Sequence, residues 1–218
     1  TIIPQIIGSG TGVDCSGAAI VIVISVDPTP ALTSAATKDI CSGSAVNYVP
    51  TSSVSGTTFA WTASTADGIT GFSAVGSGTI TDVLVNPTNV FGTVEYVITP
   101  TAASCAGAPF NFTVTVEPTP TLVSVIVPAS AIVCDGDGYD IQLSTLSVAS
   151  SGSVVYDFTA VGSDVGVTSF VASGANIPAA NDITEIDVFN STTTRQTITY
   201  TIIPQIIGSG TGVDCSGA

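Results

Sequence analysis

The sequence predicts an all-β protein built from tandem antiparallel β-sandwich domains. Short segments rich in valine, isoleucine and threonine run through the whole chain, and β-branched side chains suit a pleated, half-buried surface. Turn residues separate these segments at the regular spacing that is typical of sandwiches. No segment has the periodicity of a long amphipathic helix. These observations together favour the sandwich class.

One stretch of the 218-residue chain occurs twice. Residues 1–18 and residues 201–218 both read TIIPQIIGSGTGVDCSGA, an offset of 201 − 1 = 200 residues. Identity over the whole stretch is not expected by chance or from an old, diverged duplication. We therefore interpret the chain as a window on a tandem array whose period is long enough to hold whole domains.

A weaker repeat divides this period into two related halves. A strand ending in proline, a Cys-x-Gly turn and an alternating strand precede DPTP at 27–30 and again precede EPTP at 117–120. Residues 110–116 are the counterpart of residues 19–26 in this comparison. A Pro-x-Pro segment is short and stiff, so each of these joints predicts a rigid spacer between successive domains.

The starts of the two halves also correspond, since KDICSGSAVNYVPTS (38–52) resembles AIVCDGDGYDIQLST (131–145). We therefore expect a C-terminal hairpin of a preceding domain at 1–30, a first sandwich at 31–120, and a second sandwich at 121–218 that lacks its last strand. Strands are expected in the first sandwich at 57–64, 79–86, 93–100 and 110–116, and in the second at 154–161, 183–190 and 197–204. The apolar run Ala18–Ile24 is predicted to be a buried strand.

Charge and composition exclude several classes of function. Lys38 and Arg195 are the only cations against 16 acidic residues, which gives a net charge of −14. Such a surface repels nucleic-acid backbones and anionic lipid, and Ala18–Ile24 is too short to span a bilayer. The chain contains no histidine, so it has no catalytic triad and lacks the commonest metal ligand. We expect no enzyme activity, no cofactor, no nucleic-acid partner and no membrane insertion.

The five cysteines lack CxxC spacing, which argues against zinc and thioredoxin-like sites and favours disulfides of an extracellular protein. Within each predicted sandwich, one cysteine precedes the early strand and one lies in the late hairpin. This arrangement predicts the pairs Cys41–Cys105 and Cys134–Cys215. Cys15 copies Cys215, so we expect its partner in a preceding domain.

Two sets of residues are candidates for ligand contact. Asp135, Asp137 and Asp140 could supply oxygen ligands to Ca²⁺, although their spacing does not match a complete calcium loop, and a solvated turn is the favoured interpretation. Tyr96 and Tyr200 could stack on a ligand, but the favoured role is a tyrosine corner whose hydroxyl bonds to backbone. Trp61 is likewise interpreted as a core residue rather than a sugar platform.

These motifs carry a family resemblance. The sequence Tyr-x-(Ile/Val)-x-Pro at Tyr96 and Tyr200, followed by Cys-x-Gly and a strand ending in (Asp/Glu)-Pro-Thr-Pro, resembles PKD-like, immunoglobulin-type repeats. Such repeats occur in giant cell-surface adhesins, including gliding-motility adhesins, of bacteria that use type IX secretion. The WDFGDG signature of better-known PKD domains is absent, with Trp61 in TFAWTAS and Phe158 in YDFTAV at the corresponding place. The resemblance implies a stalk or spacer and no catalytic residue.

Three functions remain open at this point. The first is a structural repeat of an extracellular adhesin, whose partners are adjacent identical repeats, with surface glycans or another substratum contacted through other domains. The second is a carbohydrate- or ligand-binding module that uses loops at one end of a sandwich. The third is a fibre subunit that completes the second sandwich with residues 19–26 of a neighbour, as β-strand addition allows.

Overall fold

The structure is a computed structural model that describes residues 1–7, 10–12, 15–208 and 212–217, without the side chains of Ile6 and Cys15. Every regular element in these residues is a β-strand. Among the described residues no helix is long and apolar enough to cross a membrane. The all-β prediction is confirmed.

The N-terminal residues form a small hairpin followed by an extended segment. Strands β1 (Gln5–Ile6) and β2 (Cys15–Ser16) pair antiparallel, and an isolated bridge joins Ile2 to Ile20. Beyond this bridge the chain pairs with no strand in the described part of the molecule. The apolar side chains of residues 20–26, the free segment, are 59–88 % exposed. The prediction of a buried strand at Ala18–Ile24 is therefore wrong for this structure, because a hairpin of two-residue strands has no sheet face that could cover it.

Residues 31–120, called the first unit here, contain eight strands. These are β3 (Thr37–Cys41), β4 (Ser44–Ala45), β5 (Thr58–Ser64), β6 (Val75–Ser77), β7 (Val83–Leu84), β8 (Gly92–Ala102), β9 (Cys105–Ala106) and β10 (Phe110–Glu117). The larger sheet has the order β3-β10-β8-β5-β6, with β9 added to β8, and β4 pairs with β7 in a second sheet. Most pairs are antiparallel as predicted, but β3 runs parallel to β10. This parallel pair places the two C-terminal ends of β3 and β10 side by side.

Strand β10 completes the core of the first unit. Its alternating residues Phe112, Val114 and Val116 are fully buried, because period-2 alternation directs every second side chain inward. Phe112 stacks on Tyr48 with ring centroids 3.7 Å apart. Burial of each of these side chains stabilises the fold by about 1.5–3 kcal/mol. The core of the first unit therefore depends on its last strand.

Residues 121–217, the second unit, contain nine strands. These are β11 (Val123–Val127), β12 (Tyr139–Ser144), β13 (Ser153–Gly162), β14 (Val167–Thr168), β15 (Ser173–Pro178), β16 (Ile183–Glu185), β17 (Phe189–Asn190), β18 (Ile198–Ile207) and β19 (Cys215–Ser216). They form the sheets β11-β12-β16, β15-β13-β18-β19 and β14-β17, all antiparallel. The segment predicted as one strand at 183–190 is divided between two sheets.

The two units share local geometry that the sequence comparison anticipates. In the first unit, the Asn86 side-chain oxygen accepts hydrogen bonds from the N–H and hydroxyl of Thr88, both at 2.9 Å. Asn190 and Thr192 make the same two bonds, at 3.0 and 2.7 Å. The same turn thus follows the corresponding strand in both units.

Candidate functional site: the junction and the open edge

The Cys-x-Gly hairpin of each unit folds back to the joint at which that unit begins. The N–H of Gly107 donates to the Pro100 carbonyl (2.8 Å), and a Cβ on Gly107 would overlap the Pro30 carbonyl. Gly217 lies in the same way against the carbonyl of Pro120. Only glycine allows the hairpin to approach the joint so closely. The hairpin cysteines Cys105 and Cys215 are therefore held at the entrance of their units.

This geometry places a disulfide between the units rather than within them. Cys41 is opposite Glu117 in the parallel β3–β10 pair, at the exit of the first unit, where it bonds to Cys215 with a Cα–Cα distance of 5.6 Å. The predicted pairs Cys41–Cys105 and Cys134–Cys215 are wrong, because each would join opposite ends of one unit. In the described part of the chain, Cys105 and Cys134 are free thiols. The side chain of Cys15 lies outside the described residues, so its pairing with a preceding domain stays a prediction.

A buried carboxylate forms a second link across the junction. Glu117 is 1 % exposed although its side chain is ionisable, and both of its side-chain oxygens accept the Ser150 N–H at 3.1 Å. The Ser150 hydroxyl donates to the same carboxylate. The Glu117 carbonyl in turn accepts the N–H of Ser42, at 3.0 Å. Hydrogen bonds to a carboxylate are stronger than neutral ones, so Glu117 ties the last strand of the first unit to the second unit.

Backbone pairing supplies the third link. Val90 of the first unit and Val148 of the second form an isolated parallel bridge. The Val148 N–H donates to the Asn89 carbonyl (2.7 Å), and the Phe91 N–H donates to the Val148 carbonyl (3.0 Å). A covalent bond, side-chain hydrogen bonds and backbone hydrogen bonds therefore connect the units at separate points. In the chain-entropy model, a disulfide closing a loop of 174 residues stabilises by on the order of 5 kcal/mol.

The far end of the second unit contains an open groove of about 800 Å³. The residues that line it include 131–135 and 194–198, together with Tyr139, Ile141 and Val188. Residues 198–204 of β18 have no strand partner on this side within the described chain, because β19 pairs only with Gln205 and Ile206. The groove thus combines apolar and polar lining residues, Arg195 among them, with an unpaired strand edge.

The groove corresponds to the position that β10 occupies in the first unit. Asn86 bonds through its side-chain N–H₂ to the Val90 carbonyl (2.8 Å) and to the Val116 carbonyl in β10 (3.0 Å). The side chain of its counterpart Asn190 donates to the Thr194 carbonyl (2.9 Å), as that of Asn86 does to Val90. Among the described residues, Asn190 has no equivalent of the hydrogen bond that Asn86 makes to β10. The second unit therefore presents a site shaped for one additional strand.

The free segment has the sequence that this site requires. The free segment can be aligned with β10 by matching Asp27 to Glu117, the acidic residue before each Pro-Thr-Pro joint. In this alignment Ile22, Ile24 and Val26 correspond to the three buried residues of β10 described above. The same 18-residue hairpin sequence precedes the free segment at 1–18 and ends the second unit at 201–218. The described residues thus contain both an unpaired part of the β18 edge and a segment that corresponds in sequence to β10.

The two predicted tyrosines are core residues with an unexpected hydrogen-bond partner. Tyr96 is fully buried, and its hydroxyl donates to the Asp82 carboxylate at 2.8 Å. The Tyr200 hydroxyl donates to the Glu185 carboxylate at 2.7 Å. The expected bond from hydroxyl to backbone is therefore wrong for both. Burial, reinforced by the adjacent carboxylate, raises the pKa of Tyr96 well above its ordinary value.

Trp61 is also a core residue, as the sequence predicts. Its side chain is 7 % exposed and packs edge-on against Tyr96, with ring centroids 5.5 Å apart. Trp61 pairs with Ile98 and Phe158 pairs with Ile202, which supports the proposed correspondence of Trp61 with Phe158. Neither ring lies open on the surface for ligand stacking.

The acidic turn of the second unit is held by backbone hydrogen bonds. The Asp135 carboxylate accepts the Asn190 N–H (2.7 Å), and the Asp137 carboxylate accepts the Cys134 N–H (3.3 Å). Asp140 lies in β12, where it pairs with Val127 and Thr184. No group of three or more potential ligands among the described residues could hold a metal ion. The calcium alternative gains no support from this geometry.

Comparison with known proteins identifies one domain. Residues 38–120 match the PKD-like domain family, so this part of the chain is a PKD-like domain with the immunoglobulin-like β-sandwich fold. No curated protein matches the chain. The β-sandwich part of the predicted resemblance is therefore confirmed for residues 38–120.

The junction yields a prediction for hydrogen exchange. Replacing both Cys41 and Cys215 by serine should accelerate exchange of the Phe91, Val148 and Ser150 amides by about tenfold, because without the disulfide the two units can separate when the junction opens transiently. Amides of β10 should be unaffected. Mass spectrometry of exchanged peptides measures both, with Cys105→Ser as the matched control. Unchanged exchange at the three junction amides would contradict a structural role for the disulfide.

Buried Tyr96 predicts a decline in stability at alkaline pH. Since its folded pKa is raised above the ordinary value of 10.0, its contribution is complete below pH 10 and is lost as pH rises toward the folded pKa. Each such tyrosine lowers the free energy of unfolding by about 1.4 kcal/mol per pH unit in this range.

Denaturant unfolding across this range should therefore show a shallower pH slope for Tyr96→Phe than for the natural chain. Phe112→Leu, which changes packing without removing a titratable group, should keep the original slope. Equal slopes for the natural chain and Tyr96→Phe would show that Tyr96 ionises equally in both states.

Proposed function

We propose that the chain is a stiff structural repeat from the stalk of a large extracellular bacterial adhesin, acting in surface attachment or gliding motility. The observation that carries this proposal is the junction, where the Cys41–Cys215 disulfide, buried Glu117 and the Val90–Val148 bridge hold two β-units together. Such a joint suits a part whose task is to maintain distance and resist tension. The role requires no enzyme activity and no cofactor.

Three further observations support the proposal. The exact repeat at an offset of 200 residues favours a head-to-tail array in one polypeptide or filament, in which the partners are adjacent identical repeats. The disulfide favours an oxidising, extracellular location. The PKD-like domain at 38–120 favours a surface module. We infer that residues 31–120 and 121–218 are successive domains, and that 1–30 closes a preceding one.

This proposal predicts the organisation and location of the parent protein. Its gene should encode several head-to-tail copies of the 200-residue period, and electron microscopy of the purified protein should show rods whose length increases in proportion to copy number. Antibodies against the chain should label intact cells and lose that label after external protease treatment. Specific binding of the purified chain to a glycan array would instead favour the ligand-binding alternative. A gene with a single copy would contradict the array.

A second candidate is a fibre of separate chains that exchange strands. The observation that favours it is the open groove of the second unit together with the exposed free segment. Donation of residues 20–26 into a neighbour's groove would bury Ile22, Ile24 and Val26 and pair the open edge of β18. A single-copy gene combined with strand donation would favour this candidate over the stalk.

The groove can be tested with a synthetic peptide of residues 18–27. The receptor is the full chain carrying Ile22→Asp and Ile24→Asp, which disables its own free segment. The natural peptide should raise the thermal unfolding temperature of this receptor, because a ligand that binds only the folded state stabilises it. A peptide with aspartate at the inward positions Ile22 and Ile24 should have no effect.

The matched control places aspartate at the outward positions Val21 and Val23, and this peptide should still stabilise the receptor. Equal behaviour of the inward and outward variants would contradict the proposed strand register. Failure of the natural peptide at saturating concentration would contradict strand addition at this groove.

A further inference from the structure

We propose that Cys105 and Cys134 form a disulfide with each other between consecutive copies of this sequence. Every junction along the array then contains a disulfide, as the junction between the first and second units contains Cys41–Cys215. The inference rests on the proposed head-to-tail function, and it assigns a bonding partner to two free thiols.

Cys134 occupies in the second unit the place that Cys41 occupies in the first. Each is followed by a glycine two residues later, and Gly43 and Gly136 have nearly the same positive φ, 82° and 84°. The Gly43 N–H donates to the Leu84 carbonyl (2.7 Å), and the Gly136 N–H donates to the Val188 carbonyl (2.9 Å). The local fold that presents Cys41 for bonding is therefore repeated around Cys134.

Cys105 occupies in the first unit the place that Cys215 occupies in the second. Cys105 pairs with Ala102 in the β8–β9 hairpin, and Cys215 pairs with Ile206 in the β18–β19 hairpin. Both hairpins are closed by a glycine N–H bonded to a proline carbonyl, at 2.8 and 2.7 Å. Both hairpins fold back to the entrance of their unit, against Pro30 and Pro120 respectively.

One copy cannot join these two cysteines. Cys105 lies at the entrance of the first unit, whereas Cys134 lies at the exit of the second, beside the open groove. The bonded pair shows that a unit's exit cysteine reaches the entrance cysteine of the unit that follows. For the second unit, the unit that follows is the first unit of another copy.

The groove explains how that copy is positioned. The free segment of the following copy fits the groove and continues through the joint at 27–30 directly into its first unit. In the first unit, the last strand ends beside Cys41 in the same way, with Glu117 paired to it. Strand insertion therefore brings the entrance of the following copy, with Cys105, to Cys134.

Bond formation needs an oxidant, for which glutathione disulfide suffices. The thiols of Cys105 and Cys134 give up two protons and two electrons as the sulfur–sulfur bond forms, and one glutathione disulfide is reduced to two glutathione thiols. Extracellular surroundings keep such a bond oxidised. No group beyond the two thiols and this oxidant takes part.

The test mixes two variants of the full chain, both carrying Cys15→Ser to remove the remaining cysteine. One variant also carries Cys105→Ser and keeps Cys134, and the other carries Cys134→Ser and keeps Cys105. In a glutathione redox buffer, the mixture should shift on a non-reducing gel from the 21.6 kDa monomer to a dimer of twice that mass. Each variant alone should remain monomeric, and mass spectrometry should identify the Cys105–Cys134 peptide pair.

Variants of the free segment link this bond to strand insertion. Ile22→Asp with Ile24→Asp, placed in the chain that keeps Cys105, should abolish the dimer. Val21→Asp with Val23→Asp should not. Absence of a dimer in the mixture would overturn the inference, and so would a dimer of similar yield formed by either variant alone.

The outcomes separate this inference from the proposed function. A gene with many copies combined with no Cys105–Cys134 bond would overturn the inference alone. A single-copy gene combined with the bond would overturn the continuous stalk and leave the covalent junction between chains intact.

Discussion

The position of one strand decides whether each unit is closed. β10 lies between β3 and β8, buries Phe112, Val114 and Val116, and ends at Glu117, which forms the junction with the second unit. The second unit has no counterpart of β10 among the described residues. There the segment equivalent to β3 is irregular and a groove remains. Core packing, edge protection and connection to the next unit all depend on this single element.

The path of the chain explains why the strand that completes the first unit also lies at its contact with the second unit. Because β3 runs parallel to β10, Cys41 and Glu117 arrive together at the exit of the first unit. The fold-back of the hairpin against Pro120 brings Cys215 to the same place from the second unit. The connection between the units therefore follows from strand direction and from one close glycine contact. It does not require an extensive interface between the units.

Sequence reasoning predicted the features that depend on local pattern. Alternating apolar residues placed β5, β8, β10, β13 and β18 to within three residues, and the core roles of Trp61 and Tyr96 followed from their positions in these strands. In each of these cases the information lies within a few neighbouring residues.

The features that sequence reasoning missed depend on the directions of the strands and on contacts between residues that are distant in sequence. A cysteine at each end of a predicted sandwich suggested a bond within it, but the parallel β3–β10 pair and the folded-back hairpin place those cysteines at opposite ends. The carboxylate partner of Tyr96 lies just before β7 and that of Tyr200 lies in β16, and no spacing rule connects either pair. The run Ala18–Ile24 is apolar enough for burial but has no sheet to cover it.

The Cys41–Cys215 bond also determines the route that tension takes through the molecule. When the chain is pulled from outside this pair, force passes directly from one cysteine to the other, and the 174-residue loop between them is bypassed. Strands β4 to β18 lie inside this loop and are shielded from the tension, whereas β3, which ends at Cys41, is not. The disulfide therefore limits how far the chain can be extended, and a reducing agent that cleaves it allows the 174-residue loop to extend as well.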